Sequence, residues 1–221
     1  MAGTQAFLFD LNGTIIDDMK YHATAWFDIL NNKLQFNISM SDLMVQLYGK
    51  NSEVLERILG EGKFTVQEMA ELEMEKEKSY QKAFLPYLKT IDGFDGFVSK
   101  AYEANIKMGI GSAAIPFNID FVLDGLNLRK YFSAIVSAED VVISKPHPET
   151  FLKAAEELQV LPENCIVFED APKGVEAAAN AKMPCVVITT MHPKEDFAGF
   201  KNILFFIEDY NDKQLEQLYN N

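Results

Sequence analysis

The chain reads as an α/β protein: a doubly wound parallel sheet with a small helical domain inserted after the first strand. Two observations predict the sheet. Short apolar runs recur along the chain, several of them apolar at consecutive positions, as strands buried on both faces are. Helical stretches separate these runs, the alternation from which right-handed parallel crossovers are built. A third observation predicts the insert: from residue 17 to residue 86 helical periodicity continues with no buried strand. The expected division is therefore a core of residues 1–16 with 87–221 and a helical cap of residues 17–86. Setting the insert aside leaves roughly 150 residues, a common size for a domain with its own core.

Taken in order, the first expected strand is Ala6–Phe9, which runs directly into Asp10. Within the insert, Met69, Leu72, Lys76, Tyr80 and Phe84 recur at three- and four-residue spacing, the stripe of an amphipathic helix. Glu73, Glu75, Glu77 and Lys78 fall on its other faces and read as a solvated surface. Strand–helix alternation then resumes, with strands at Met108–Gly111, Ala134–Val136, Ile166–Phe168, Cys185–Ile188 and Ile203–Ile207. Helices are expected near 94–105, 116–126, 148–159, 172–181 and 211–219. In such sheets ligands bind at the carboxyl ends of the strands.

Composition narrows the function. Hydrophobic residues make up 48% and charged residues 24%, which excludes a disordered or collagen-like chain. The 20 Lys and Arg against 33 Asp and Glu give a net charge of −13, a surface that repels nucleic acid and anionic membranes. A small anionic substrate remains compatible if a metal ion and a few lysines make the site locally positive. No apolar run approaches the roughly 20 residues that span a bilayer, and the Met1–Gln5 start lacks a basic leader segment, so a cytoplasmic location is expected. Cys165 and Cys185 each open an apolar run and are read as buried thiols. His22, His147 and His192 have no zinc-ligand spacing.

Four motifs sit at expected strand ends. Phe9-Asp10-Leu11-Asn12-Gly13-Thr14 places a carboxylate where a strand ends in a glycine turn; it fits a nucleophile, a metal ligand or an ordinary turn. Gly109-Ile110-Gly111-Ser112-Ala113-Ala114 offers a hydroxyl and backbone N–H groups suited to phosphate, or a simple helix cap. Ser144-Lys145-Pro146-His147-Pro148 holds one lysine in a proline-bounded loop. Glu169-Asp170 ends a strand before a helix that begins at Pro172; the pair suits a divalent cation with oxygen ligands, or a helix cap. Each alone is ambiguous. Their convergence on one rim of the sheet is the informative feature.

At these residues the chain resembles the haloacid dehalogenase superfamily of phosphotransferases over essentially its full length, with the four family motifs in order. The helical insert, with Tyr21-His22-Ala23-Thr24-Ala25-Trp26 at its start, is similar to the β-phosphoglucomutase-like branch. The resemblance implies a Rossmann-like core with a cap that closes over substrate. Asp10 becomes the nucleophile that carries an aspartyl phosphate. Ser112, Ala113 and Lys145 bind the transferring phosphoryl group, while Asp10, the Asn12 carbonyl and Asp170 hold Mg²⁺ and Glu169 orients its shell. His22, Lys50 and Lys76 are the implied substrate contacts in the cap, with Trp26 read as cap core. The branch's phosphate-gripping arginine is replaced by Ser52, and Lys50 lacks the bidentate fork that would replace it.

One departure bears on the chemistry. Phosphotransferases of the superfamily carry a second aspartate where this chain has Asn12. An amide donates a hydrogen bond but exchanges no proton usefully near neutral pH, and loss of general acid–base catalysis costs about 10²- to 10⁴-fold. The leading expectation is an Mg²⁺-dependent phosphatase or phosphotransferase, acting as a monomer on a small phosphorylated metabolite such as a sugar phosphate. A β-phosphoglucomutase-like isomerase is the near alternative. A phosphometabolite-binding pseudoenzyme is the rival from another class.

Overall fold

A computed structural model describes residues 4–219; the Met1–Gly3 part of the chain start lies outside them. The chain divides into two compact units, one built from the residues up to Asp17 and from Lys89 onward, the other from Asp18–Leu88. The first unit holds a six-stranded sheet in the order β3-β2-β1-β4-β5-β6, all neighbours parallel. Its strands are β1 (Ala6–Phe9), β2 (Lys107–Gly111), β3 (Ala134–Val136), β4 (Cys165–Glu169), β5 (Cys185–Ile188) and β6 (Ile203–Ile207). Helices α5 (Phe94–Glu103), α6 (Pro116–Gly125), α7 (Glu149–Glu157) and α8 (Pro172–Asn180) connect them. The doubly wound α/β class is thus the observed one.

Strands β1 and β5 are apolar at every position because both faces are covered, whereas β2 begins at exposed Lys107 and β4 ends at Glu169. Alternate residues of β1 enter two different cores. Leu8 joins Val136, Phe151, Ala154, Val167, Val175 and Val187 on one face. On the other, Phe7 and Phe9 enter an aromatic cluster: Phe7 stacks on Phe97 at 5.4 Å and Phe9 on Phe168 at 4.7 Å, with Tyr210 and Tyr219 packed around Phe97. Cys165 and Cys185 are free, buried thiols.

The segment expected as a helix near 211–219 is instead a 3-10 helix, Lys213–Tyr219. The Asp209 and Asp212 carboxylates accept the N–H groups of Asn211 and Gln214 at the start of this segment, where a helix of either kind leaves such groups unpaired. Leu215 and Leu218, three residues apart, are the buried pair that a three-residue turn brings to one side.

The second unit contains α1 (Met19–Phe27), a π-helical turn (Asp28–Lys33), α2 (Met40–Gln46), α3 (Asn51–Leu59) and α4 (Val66–Phe84). Trp26, Ile29, Leu30, Leu43, Val54, Leu55 and Leu72 form its apolar core, with Met69 packed against it. Thr65 caps α4 through a reciprocal pair with Glu68. The expected stripe on α4 is present, since Leu72, Lys76, Tyr80 and Phe84 are buried. Glu77 departs from the solvated face read from sequence. It is buried because Lys76 and the Asn51 amide both donate to its Oε1, at 2.9 and 2.7 Å. A charged pair satisfied in this way survives burial that an isolated carboxylate does not. No helix among the described residues is long and apolar enough to cross a membrane.

Candidate active site

Sheet register builds the site. Phe9 of β1 lies opposite Ile110 of β2 and Phe168 of β4, so Asp10, Ser112 and Glu169-Asp170 emerge at the carboxyl ends of three adjacent strands. This is where the strand order reverses, with the chain passing to β2 on one side of β1 and later to β4 on the other. Asp10 is anchored by its own N–H to the Phe168 carbonyl at 3.0 Å, and Ser112 by its N–H to the Val136 carbonyl at 2.9 Å. The Ser112 hydroxyl oxygen accepts the Ala114 N–H at 3.1 Å, ahead of α6, so this serine shapes the turn rather than capping the helix.

Lys145 arrives from the loop after β3. Its buried ammonium donates to Asp10 Oδ1 at 2.6 Å and to Glu169 Oε1 at 2.8 Å, and lies 4.5 Å from the centre of the Phe151 ring. The loop is held from α7, where the Glu149 carboxylate accepts the N–H groups of Val142 and Ile143, each at 3.0 Å. Glu169 Oε2 accepts the Asp170 and Ala171 N–H groups, both at 2.9 Å. Glu169 is therefore committed to Lys145 and to the start of α8.

Asn12 lies in a tight turn bridged to Ile16, and the Gly13 N–H donates to the Ile16 carbonyl at 2.7 Å. Gly13 has φ +76°, and a Cβ there would fall 2.1 Å from Asp170 Oδ2. Only glycine allows both the left-handed backbone and this approach. Thr14 Oγ1 donates to Asp170 Oδ1 at 3.2 Å. Two residues with no sequence signal brace the turn from far along the chain. Thr190 Oγ1 donates to the Gly13 carbonyl at 2.6 Å, and the Tyr210 hydroxyl to the Thr14 carbonyl at 3.0 Å.

Three buried carboxylates thus face one ammonium. Burial raises the Asp10 carboxyl to about 7; Lys145 opposes the rise and Glu169 adds to it. Burial, then the charges of Glu169 and Asp10, hold Asp170 well above the usual carboxylate range. Burial alone would lower Lys145, but Asp10 and Glu169 outweigh it and raise that ammonium above its ordinary range. The excess negative charge at Asp10 and Asp170 is the deficit that a divalent cation would fill, and carboxylate and carbonyl oxygens are the donors Mg²⁺ takes. Among the described residues no three His, Cys, Asp or Glu side chains form a metal centre by themselves, so such an ion also needs backbone or water oxygens.

The remaining expected residues lie in the helical unit. His22 stacks on Tyr80 with ring centres 3.7 Å apart, its Nδ1 is 2.7 Å from Lys76 Nζ, and its Nε2 is 3.3 Å from Asp18 Oδ2. Tyr80 donates to the same Asp18 oxygen at 2.6 Å. Burial lowers the Lys76 ammonium below its usual range, against the pull of Glu77. Trp26 is core, 5.3 Å from Lys76 Nζ. Lys50 stands at the N-terminus of α3, its N–H donating to Glu53 Oε2 at 2.9 Å.

A haloacid dehalogenase-like hydrolase family profile matches residues 4–182. The chain belongs to the haloacid dehalogenase-like hydrolases. It is 32% identical over 180 residues to fructose-1-phosphate phosphatase YqaB of Escherichia coli, covering 81% of this chain and 93% of that one. It is 32% identical over 196 residues to β-phosphoglucomutase of Bacillus subtilis, covering 86% and 85%. The crystal structure of β-phosphoglucomutase from Clostridium difficile superposes with a TM-score of 0.81 at 28% identity, over 98% of this chain and 97% of that one. This haloacid dehalogenase-like hydrolase is accordingly an enzyme of a phosphatase family whose members include sugar phosphatases and phosphomutases.

Proposed function

We propose that the chain is an Mg²⁺-dependent phosphatase acting on a small phosphorylated metabolite, a sugar phosphate, through an aspartyl phosphate on Asp10. The observation that carries this reading is the Lys145 ammonium bonded at 2.6 Å to the carboxylate of Asp10, beside buried Asp170 and at the strand ends that also present Ser112. Phosphoryl transfer needs chiefly positioning and charge neutralisation, and this arrangement supplies both. Asp10 attacks the phosphorus as the P–O bond to the sugar breaks, the sugar oxygen leaving with the electron pair and taking a proton from water; a second water then cleaves the aspartyl phosphate to free phosphate and restore Asp10. Lys145 and the Ser112–Ala113 turn bind phosphoryl oxygens, Lys145 keeping attacking and attacked anions from repelling one another. Glu169 holds Lys145 in place. Asp10, Asp170 and the Asn12 carbonyl are the proposed Mg²⁺ ligands, and Mg²⁺ when bound supplies further charge neutralisation at the phosphoryl group. His22, Lys50 and Lys76 are the proposed substrate contacts of the helical unit. Asn12 donates a hydrogen bond without exchanging a proton, which impairs acid–base catalysis.

The test is a phosphometabolite screen of the chain and its Asn12→Asp variant. Phosphate release in the presence of Mg²⁺, lost in Asp10→Ala, is the expected result; no release from either protein on any ester would favour a binding protein without turnover. The mutase reading draws support from the 32% identity to a β-phosphoglucomutase. It predicts that a hexose bisphosphate is bound and regenerated during the isomerisation of a hexose monophosphate.

A further inference from the structure

Glycine at position 13 gives the peptides on either side of it little steric resistance to rotation, because no Cβ opposes a backbone at φ +76°. The Asn12 carbonyl belongs to one of those peptides, and the proposed function makes it a ligand of Mg²⁺. Building on that reading, we infer that Thr190 and Tyr210 are positioning residues, which fix the direction of the Asn12 carbonyl and so set the affinity for the cation.

A peptide unit is planar and trans, so the Asn12 C=O and the Gly13 N–H point in opposite directions within one plane. The Gly13 N–H donates to the Ile16 carbonyl at 2.7 Å, which holds one edge of that plane. The three carbonyls between them are each held by a donor from a different region. Thr190 Oγ1 donates to the Gly13 carbonyl at 2.6 Å and the Tyr210 hydroxyl to that of Thr14 at 3.0 Å. The Ile91 N–H donates to that of Ile15 at 2.8 Å. The Ile16 carbonyl follows directly on this row, so its place depends on the same three donors. With the row held, the Gly13 N–H has a fixed acceptor and the Asn12 carbonyl a fixed direction.

Neither hydroxyl depends on the turn for its own place. The Thr189 N–H and hydroxyl both donate to the Ile207 carbonyl, at 3.0 and 3.3 Å, and seat the chain just before Thr190 on β6. The Tyr210 N–H donates to the Asp92 carbonyl at 2.9 Å. Its ring packs against Phe94 and Phe97, with centres 4.9 and 5.3 Å away. At Gly93 a Cβ would lie 2.7 Å from the Tyr210 carbonyl carbon, so this seat requires glycine. Partners outside the coordination sphere typically change metal affinity by about 10- to 100-fold. Acting one peptide or more from the ligand, these hydroxyls belong at the lower end.

Tyr210→Phe and Thr190→Val keep the shape of each side chain and remove only the hydroxyl. Tyr219→Phe is the control, because its hydroxyl also donates to a backbone carbonyl, that of Phe97 at 3.0 Å, within the same aromatic cluster. Mg²⁺ affinity of the full chain is measured by isothermal titration calorimetry, and amide hydrogen exchange at Gly13 and Ile15 is followed without Mg²⁺. Expected are a ~10-fold rise in the Mg²⁺ Kd for each of the first two variants and faster exchange at both amides relative to those of β1. Tyr219→Phe should bind Mg²⁺ as the unmodified chain does. Unchanged Kd or unchanged exchange in either variant, or an equal loss of affinity in Tyr219→Phe, overturns the inference and leaves the phosphatase reading intact. An unmodified chain that binds no Mg²⁺ overturns both.

Discussion

At the scale of single residues, Glu169 and Gly174 form a pair whose substitution reverses a usual rule. A glycine inside a helix is ordinarily improved by alanine, by roughly 0.5–1 kcal/mol. At Gly174 of α8 an added Cβ would lie 1.8 Å from the Glu169 carboxyl carbon, so the carboxylate must leave Lys145 and the 170–171 amides. Gly174→Ala is expected to destabilise the protein by about 1–3 kcal/mol and to lower kcat, read by urea unfolding and by turnover; a more stable and equally active variant would contradict this role for Glu169. The four chemical motifs were legible in the sequence because each puts a polar residue directly after an apolar run. Thr190 and Tyr210 were not. They act through backbone carbonyls 177 and 196 residues away, a relation that leaves no local pattern. The burial of Glu77 leaves no local pattern for a related reason, since one of its partners, Asn51, lies 26 residues off on another helix.

At the scale of elements, the aromatic face of the sheet and helix α4 each make a measurable claim. Phe97 of α5 packs between Phe7, Phe9, Phe168, Tyr210 and Tyr219. Phe97→Ala is expected to cost about 3–5 kcal/mol in denaturant unfolding. On α4, burial and then the neighbouring Glu77 charge raise Glu73 to about 7, against the effect of Lys76. The folded chain consequently binds this proton more tightly than the unfolded one. The stability it contributes is fully present below pH 4.5 and is lost as pH rises through about 7. Relative to Glu73→Gln, the unmodified chain should lose on the order of 1–2 kcal/mol over that interval, discounted for partial exposure, a difference that paired urea titrations at several pH values would show. Strand positions were readable because consecutive apolar residues mark doubly covered strands. The 3-10 geometry of Lys213–Tyr219 was not, because Leu215 and Leu218, three residues apart, share a face in either kind of helix.

At the scale of the whole molecule, binding of a divalent cation should register as global stability. If Mg²⁺ relieves the excess charge of Asp10 and Asp170, the apparent unfolding free energy rises by about 2.7 kcal/mol at a hundredfold excess over Kd. Chelation should remove that gain, and Asp170→Asn should abolish most of it, both visible as shifts in thermal midpoint. The net charge of −13 adds a control, since generalised attraction would hold Mg²⁺ on both proteins while only the site distinguishes them. The brace from Tyr210 to the Thr14 carbonyl has a consequence for biosynthesis. The fastener of the turn that carries Asn12 and Gly13 is translated 196 residues after the carbonyl it holds. A nascent chain can assemble β1, β2 and β4 before Tyr210 is translated, but this turn stays unlatched until Tyr210 has emerged.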